Sequence, residues 1–405
     1  MCHIVRHPAT VPQVDNAIMT PSLSVHRTIC EIDVHEWNDL AGDSAFALHG
    51  WLLTVERSWR EAVDPLYFTL TLDGRLIAGS VCYLADANSR NETLDDMLFG
   101  RMRGVARAVG MSFLPSLVCG PALGYGWHIG VHAALSECEA DRARSHVLDA
   151  IEMEARAREM QVSFALVLDS EPGLKRLLTE RGYLRCRNVP VNVLDLTWQS
   201  PTAYMYDLSR KRRTEFRRQI KRNRDAGCVI ETTGNPEAVE ARLLQLLDWN
   251  AQKHSGRPFP GGDGFFRELS RNLGANALVF TARMDESLTG VHVVLLGKEA
   301  AFAAAIGVDP ETAVRDYTYF VIAYHSPIST VLERGLSRFY FGRGMYEIKR
   351  RRGCRLTDSW TYAKVPGPRW IVSAAWFALA TQWNRYKLPS GARRSLSDPV
   401  ARRDA

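Results

Sequence analysis

The feature that most constrains this chain is an internal repeat. Residues 66–84, LYFTLTLDGRLIAGSVCYL, align with residues 278–296, LVFTARMDESLTGVHVVLL, with one residue different at the turn. Each copy has two strand-like, mostly apolar runs on either side of a short polar break. Asp73-Gly74 in the first copy is a strong two-residue hairpin signal. The repeat predicts antiparallel hairpins at 66–84 and 277–296, at equivalent places in two related halves. The elements after each hairpin correspond as well. A helical pattern over 141–160 precedes strand 162–168, and a helical pattern over 317–335 precedes strand 338–342. The helix and glycine at 171–182 match Tyr346–Gly353. Each half mixes strands and helices, so the reading is α/β with mixed sheets in two tandem domains. The expected boundaries are a flexible leader over 1–27, a first domain over 28–198 and a second over 199–366. A C-terminal helix and disordered tail fill 367–405.

The second half holds the chemistry-bearing segments. Phe339-Tyr-Phe-Gly342 reads as a buried strand, and Gly342 and Gly344 then let the backbone turn. Arg343, Tyr346 and Lys349 follow at fixed offsets, which suits a pocket for an anionic ligand. The bland alternative is a basic surface turn after a core strand. From Ser209 to Asp225 the chain carries nine Arg or Lys in 17 residues. Leu208, Phe216 and Ile220 give that segment a thin apolar stripe, so it reads as a helix docked by one edge. Three readings stand for it: a solvated charged face, a contact for the phosphates of a donor, or a docking site for RNA.

Composition narrows the class. The 405 residues are 46% apolar and 24% charged, as in ordinary globular proteins. Eight cysteines are scattered without a C-x-x-C pair, which indicates neither a zinc cluster nor a redox motif. The first 25 residues lack a long apolar core, so no secretory signal is read there, and the expected location is the cytoplasm. No stretch approaches the ~20 apolar residues of a membrane span. The segment Trp370–Trp383 is a short, mostly apolar helix that could pack on the body or make a peripheral membrane contact. Packing is favoured because a strongly basic face is missing.

Four stretches, in order, resemble the FemAB-like tandem GNAT acyltransferases over roughly residues 45–365. They are FLPSLVCGPALGYG from Phe113, LSRKRRTEFRRQIKRNRDAGCVIE from Leu208, HSGRPFPGGDGFFREL from His254, and the second hairpin through GVDPE to VLERGLSRFYFGRGMYEIKRRRG. The resemblance implies two GNAT folds and transfer of an acyl group to an amine. Tyr346 and Lys349 match that family's Tyr-x-x-Lys. The sequence also departs from the pattern. It has no Arg/Gln-x-x-Gly-x-Gly loop for a coenzyme A pyrophosphate. Tyr319 and Val321 stand where some branches carry His and Glu.

Acyl transfer to an amine requires loss of a proton from the amine, stabilisation of an oxyanion and accommodation of a leaving group. Tyr346, Lys349 and His325 are the catalytic candidates, with His292 and Asp309 as further candidate bases. Arg343, Tyr317, Thr318, Arg217, Arg218 and Lys221 are the donor or phosphate contacts, and no metal site is read. The expected donor is an acyl thioester such as acyl-coenzyme A or an acyl carrier protein, with aminoacyl-tRNA as the alternative. The acceptor is a small-molecule or peptide amine. A rival from another class is a non-catalytic nucleic-acid-binding protein on the same scaffold.

Overall fold

The computed structural model describes residues 21–386 except 60–62, 87, 90–92, 109, 314–315 and 366–368. The first part of the chain contributes β1 (Ser22–His26), β2 (Pro65–Leu72), β3 (Arg75–Ala85), β4 (Ser116–Cys119), β5 (Gly130–Val131), β6 (Gln161–Leu168), β7 (Leu184–Arg187) and β8 (Val191–Asp195). The second contributes β9 (Cys228–Thr232), β10 (Ala277–Met284), β11 (Ser287–Leu296), β12 (Ala300–Val308), β13 (Arg338–Gly342), β14 (Arg355–Thr357) and β15 (Ser359–Lys364).

The helices are α1 (Val34–Ala41), α2 (His49–Ser58), α3 (Leu94–Phe99), α4 (Arg103–Ala108), α5 (Glu137–Ala157), α6 (Pro172–Glu180), α7 (Pro201–Asp207) and α8 (Arg210–Asp225). After them come α9 (Glu240–Ser255), α10 (Phe265–Leu273), α11 (Pro310–Ala313), α12 (Thr318–Phe320), α13 (Ser326–Glu333), α14 (Tyr346–Arg350) and α15 (Arg369–Tyr386). A π-helical turn, Val321–His325, joins α12 to α13.

Both repeated hairpins form. β2 pairs antiparallel with β3 around Asp73-Gly74, and β10 with β11 around Asp285-Glu286. Asp73 and Gly74 have φ of 51° and 75°, the left-handed pair that a two-residue hairpin turn needs to match strand twist. Ser22–His26 pairs with β2 as an edge strand, which corrects the expectation of a flexible leader through residue 27. The expected disordered tail lies outside the described residues.

The strands form two mixed sheets, and each contains one strand from the other half of the sequence. The first sheet runs β1-β2-β3-β4-β6-β15-β7, with β5 on β3, and the second runs β14-β8-β13-β12-β11-β10-β9. Thus β15 sits between β6 and β7, and β8 sits between β13 and β14. The sequence halves 28–198 and 199–366 therefore each lend a strand to the other's sheet. Local pattern cannot reveal this, because a strand's periodicity says which face is buried and not which sheet it joins.

Three cores result. One lies between the halves: Trp37, Phe46, Trp51 and Trp59 pack with Phe265, Leu246, Val291 and Phe302 from the second half. The outer face of the first sheet buries α5 through Val147, Leu148 and Ile151. The outer face of the second sheet buries Tyr324, Ile328, Phe339 and Phe341 together with Phe216 of α8. Helix α15 docks on the body through Phe377 and Ala380 against Phe113, Leu184 and Cys186. Among the described residues no helix is long and apolar enough to cross a membrane.

Candidate active site

β12 and β13 run parallel only from Ala300–Phe302 to Arg338–Tyr340. Beyond that β12 continues along β11 to Val308, while β13 stops at Gly342 and turns through Gly344 and Met345, at φ of 69°, 74° and 51°. The two strands splay apart. Carbonyls of a strand alternate in direction, so this end of β13 has acceptors on both sides. On the β8 side, Asn192 Nδ2 donates to Gly342 O at 2.8 Å and to Gly344 O at 3.2 Å. The acceptors that β12 no longer meets are taken by Lys349. Its Nζ donates to Phe341 O at 2.7 Å and Arg343 O at 3.0 Å, with Gly342 O at 3.4 Å.

Lys349 thus stands as an ammonium at the mouth of the splay. It is buried, and that burial pulls its pKa down to about 8. A solvated surface lysine is excluded, and so is an ammonium already paired with an anion. Tyr346 donates its hydroxyl to Pro190 O at 3.2 Å, on the connection between β7 and β8. It holds the seam where the strands are exchanged. Arg343, between the two glycines, is close enough to the hydroxyls of Tyr125 and Tyr346 to act on both electrostatically.

Three residues on, Arg352 is also buried. Its guanidinium lies over the rings of Tyr324, Phe216 and Phe320, at 4.0, 4.8 and 5.4 Å from their centroids. It donates to Ile348 O and Gln219 Oε1, and its Nε has no partner. Lys349 meets no carboxylate among the described residues, and Arg352 makes no ion pair there, with Glu215 acting on it only at longer range. Other cations here do meet one: buried His128 pairs with Glu171 at 3.0 Å and half-buried Arg187 with Asp358 at 2.5 Å. A buried charge without a counter-ion is costly. Two of them on α14 and the turn after it make this end of the second sheet electropositive.

His325 is not the expected base. Its Nε2 meets Gln219 Oε1 at 2.9 Å, and its ring packs edge-on against Phe216 at 4.8 Å. Burial, with the Arg352 charge beside it, pulls its pKa down to about 3. An imidazole that weakly basic cannot hold an ammonium proton at neutral pH. It serves instead to seat α8. His292 is bonded to Ile322 O, and burial brings it down to about 4, while Asp309 pairs with Arg242 at 2.9 Å.

The expected phosphate contacts separate. Tyr317 has φ of 64° and carries Arg222 of α8 at 6.0 Å from its ring. Thr318 is fully buried, and Asp316 Oδ1 accepts from both its backbone N–H and its hydroxyl, at 2.9 and 2.7 Å. A carboxylate already occupies this helix start, which corrects the reading of Thr318 as a phosphate donor. Arg217, Arg218 and Lys221 stand exposed on α8. Lys221 comes within 4.0 Å of Asp225, and no ion-pair partner is recorded for Arg217 or Arg218 among the described residues. Of the expected apolar stripe Leu208 and Phe216 are buried and Ile220 is exposed; Gln219 and Asn223, bonded to His325 and Thr318, complete the docked edge of α8.

A cleft of about 330 Å³ opens between the halves; it reaches β13 at Arg338 and Tyr340, and none of Arg343, Tyr346 and Lys349 lines it. Asp43, Ser44, Tyr125 and Glu171 from the first half face Arg338 and Tyr340 of β13. Tyr340 stacks flat on Phe302, with 4.8 Å between centroids. The hydroxyls of Ser44 and Tyr125 are buried without partners, and Tyr125 lies beside the Gly342 peptide. Buried polar atoms left unmatched in this way are uncommon in folded proteins. Sequence reasoning missed Tyr125. Its only signal was its place between glycines in the loop after β4.

The first sheet has the same splay, between β4 and β6, and there the chain fills it. Parallel pairing covers Ser116–Cys119 with Gln161–Phe164 and then stops. His128 Nε2 donates to Ala165 O at 2.7 Å, and Gly126 N–H donates to Leu166 O at 3.3 Å. Glu171 accepts from His128 Nδ1 at 3.0 Å. Burial alone would lower the His128 pKa; the Glu171 carboxylate and the Ala165 carbonyl outweigh it, and the net shift is upward. A raised folded-state pKa contributes stability that is complete below the unfolded value, ~6.5, and lost as pH rises through the folded one. His128→Gln is expected to cost roughly 3 kcal/mol at pH 6, because Glu171 loses its buried counter-charge. It should also flatten the alkaline side of the stability profile, as followed by urea denaturation across pH. An unchanged profile would show that the pair is unprotonated.

With the first splay closed by its own loop and the second capped by Lys349, comparison with known proteins bears on the second half. The family model described as FemAB-like, peptidoglycan biosynthesis/recognition, matches residues 28–375. The chain belongs to the FemAB-like family. Among solved structures it is similar to FemX, at 9% identity and a TM-score of 0.54, covering 86% of this chain and 98% of that one. It is similar to L-PGS from Bacillus licheniformis, at 12% identity and a TM-score of 0.51, covering 88% and 97%. It also resembles the C-terminal domain of a protein described as a lysylphosphatidylglycerol synthetase from Agrobacterium fabrum, at 15% identity and a TM-score of 0.54, covering 90% and 99%. At these identities the likeness is one of fold, two mixed sheets with helices in tandem halves. No curated protein matches the sequence. The family description connects the chain with peptidoglycan biosynthesis or recognition.

Proposed function

We propose that this FemAB-like protein transfers an aminoacyl group from charged tRNA to an amine of a peptidoglycan-precursor peptide, with Lys349 at the reacting carbonyl. The observation that carries the reading is the buried ammonium of Lys349 at the splay, held by backbone carbonyls and lacking a counter-ion. A developing oxyanion or leaving oxygen supplies the missing negative charge only in the transition state, which is where stabilisation accelerates the reaction. Two N–H bonds stay on Phe341 O and Arg343 O; the third, 3.4 Å from Gly342 O, turns to hydrogen-bond that oxygen, and the proton lost by the acceptor amine leaves with the tRNA hydroxyl. The acceptor amine approaches from the inter-half cleft, where Ser44 and Tyr125 have unused hydroxyls and Arg338 can meet a carboxylate of the peptide.

Two observations favour tRNA over the thioester that the sequence suggested. Asp316 seals the helix start where a coenzyme A pyrophosphate would seek amide donors. Meanwhile α8 exposes Arg217, Arg218 and Lys221 with little neutralisation, as a polyanion contact requires. In the test, the purified protein receives a peptidoglycan-precursor peptide with either labelled aminoacyl-tRNA or labelled acetyl-coenzyme A, each with and without ribonuclease. Product from charged tRNA alone, abolished by ribonuclease and falling steeply with salt, is the expected result. Product from acetyl-coenzyme A that survives ribonuclease would establish the thioester donor instead.

A further inference from the structure

The two longest stretches without an acidic residue are Met97–Ser136 and Ser359–Ser397. They are far apart in sequence, yet the fold brings them together at one edge of the first sheet. Phe99 at the end of α3 meets Trp376 of α15 edge-on at 5.5 Å, and Phe113 meets Phe377 at 5.5 Å. Trp376 Nε1 also points at Met111 Sδ, at 2.7 Å.

On the outside of this junction stand large apolar side chains that nothing covers. Met102 and Val105 are each 61% exposed, and Leu379 is 58% exposed. Met102 and Val105 are three apart along one helical segment, so they share a face. Leu379 lies one turn beyond Trp376 on α15. The charge around them has one sign. Arg103 and Arg107 project from α4, and Arg107 is exposed with no ion-pair partner recorded among the described residues. The nearest acids in sequence are neutralised or hidden: Asp96 is shared by Arg103 and Arg257 at 3.1 and 3.0 Å, and Asp95 is fully buried.

Exposed aliphatic side chains among arginines, on a surface from which acids are missing, match one partner chemistry. The interface of an anionic bilayer offers acyl chains for the apolar groups and phosphates for the guanidinium groups. We propose that α4, the turn leading into it and α15 together form a peripheral docking face for an anionic lipid surface. The described cations of this face, Arg103 and Arg107, come from α4. The face is separate from α8, which packs on the outer side of the second sheet.

The test uses the full chain and sedimentation with vesicles of phosphatidylcholine, with or without phosphatidylglycerol. The wild-type protein is expected to pellet with the mixed vesicles and to stay in solution with phosphatidylcholine alone. Met102→Glu with Val105→Glu should lower partitioning about tenfold or more, since it replaces inserted aliphatic groups with charge repelled by the lipid. Both positions are exposed, so the melting temperature should hold. Met102→Trp should shift its emission to the blue only with mixed vesicles. Wild-type protein left in the supernatant by the mixed vesicles would overturn the proposal. So would binding that survives the double variant but is lost on charge reversal at Arg217, Arg218 and Lys221, which would place the anion contact on α8.

Discussion

Lys349→Met should lower turnover by one to two orders of magnitude while the protein remains folded. The expected loss is that of one charge-assisted hydrogen bond to the transition state, ~1.5–3 kcal/mol, or roughly ten- to a hundredfold in rate. Methionine keeps most of the volume, so packing around Phe341 and Cys354 changes little. The three carbonyls lose a donor, but the fold also no longer buries an unpaired cation, and these effects oppose each other. A change in kcat with a small change in melting temperature is therefore the signature.

The pH profile gives a second readout. The charged form of Lys349 is the active one in this mechanism, and its pKa is about 8. Wild-type kcat should hold below that value and fall as pH rises through it, and Lys349→Met should lose this limb. Lys349→Arg, which keeps charge but cannot reproduce the compact three-carbonyl geometry, should recover only part of the rate. A folded Lys349→Met variant with wild-type turnover would remove Lys349 from the mechanism.

Fragments 28–198 and 199–386, produced apart, should each fail to unfold cooperatively. The first would lack β15 from between β6 and β7, and the second would lack β8 from between β13 and β14. The exchanged strands are deeply buried: Val191, Val193 and Leu194 of β8, and Tyr362 and Ala363 of β15, are inaccessible. At ~2 kcal/mol for each large side chain, losing β8 removes about 6 kcal/mol from the second sheet before its ladder bonds are counted. That is comparable with the whole stability of an ordinary domain, ~5–15 kcal/mol. The shared core of Trp37, Phe46, Trp51, Phe265 and Phe302 would be exposed as well. Co-expression of the two fragments should restore a soluble complex with a single melting transition. A cooperative, native-like transition in either fragment alone would show that the exchange contributes little.

The contrast between the features legible in the sequence and those that were not comes from the range of the forces involved. The hairpins at 65–85 and 277–296 are set by apolar, β-prone runs and turn chemistry within some 20 residues, so sequence alone determines them. The basic helix, the strand before Gly342 and the turn around Gly344 are local in the same sense. The sequence also brought Lys349, Tyr346 and Arg343 to one turn. Their roles were decided elsewhere. Lys349 is an isolated ammonium because β12 and β13 separate after Tyr340, and Tyr346 bonds Pro190 because β8 crosses into the second sheet. His325 looked like a base and became a neutral core imidazole, because Arg352 and Phe216, both distant in sequence, close around it. Thr318 looked like a phosphate donor, but its amide was already taken by Asp316. Tyr125 and Ser44 carry no pattern of their own; only the meeting of two halves leaves their hydroxyls in one cleft. Periodicity and turn residues act through neighbouring backbone dihedrals and survive in the sequence. Charge burial, strand exchange and cleft formation depend on which distant groups replace water, and that is settled only when the chain packs.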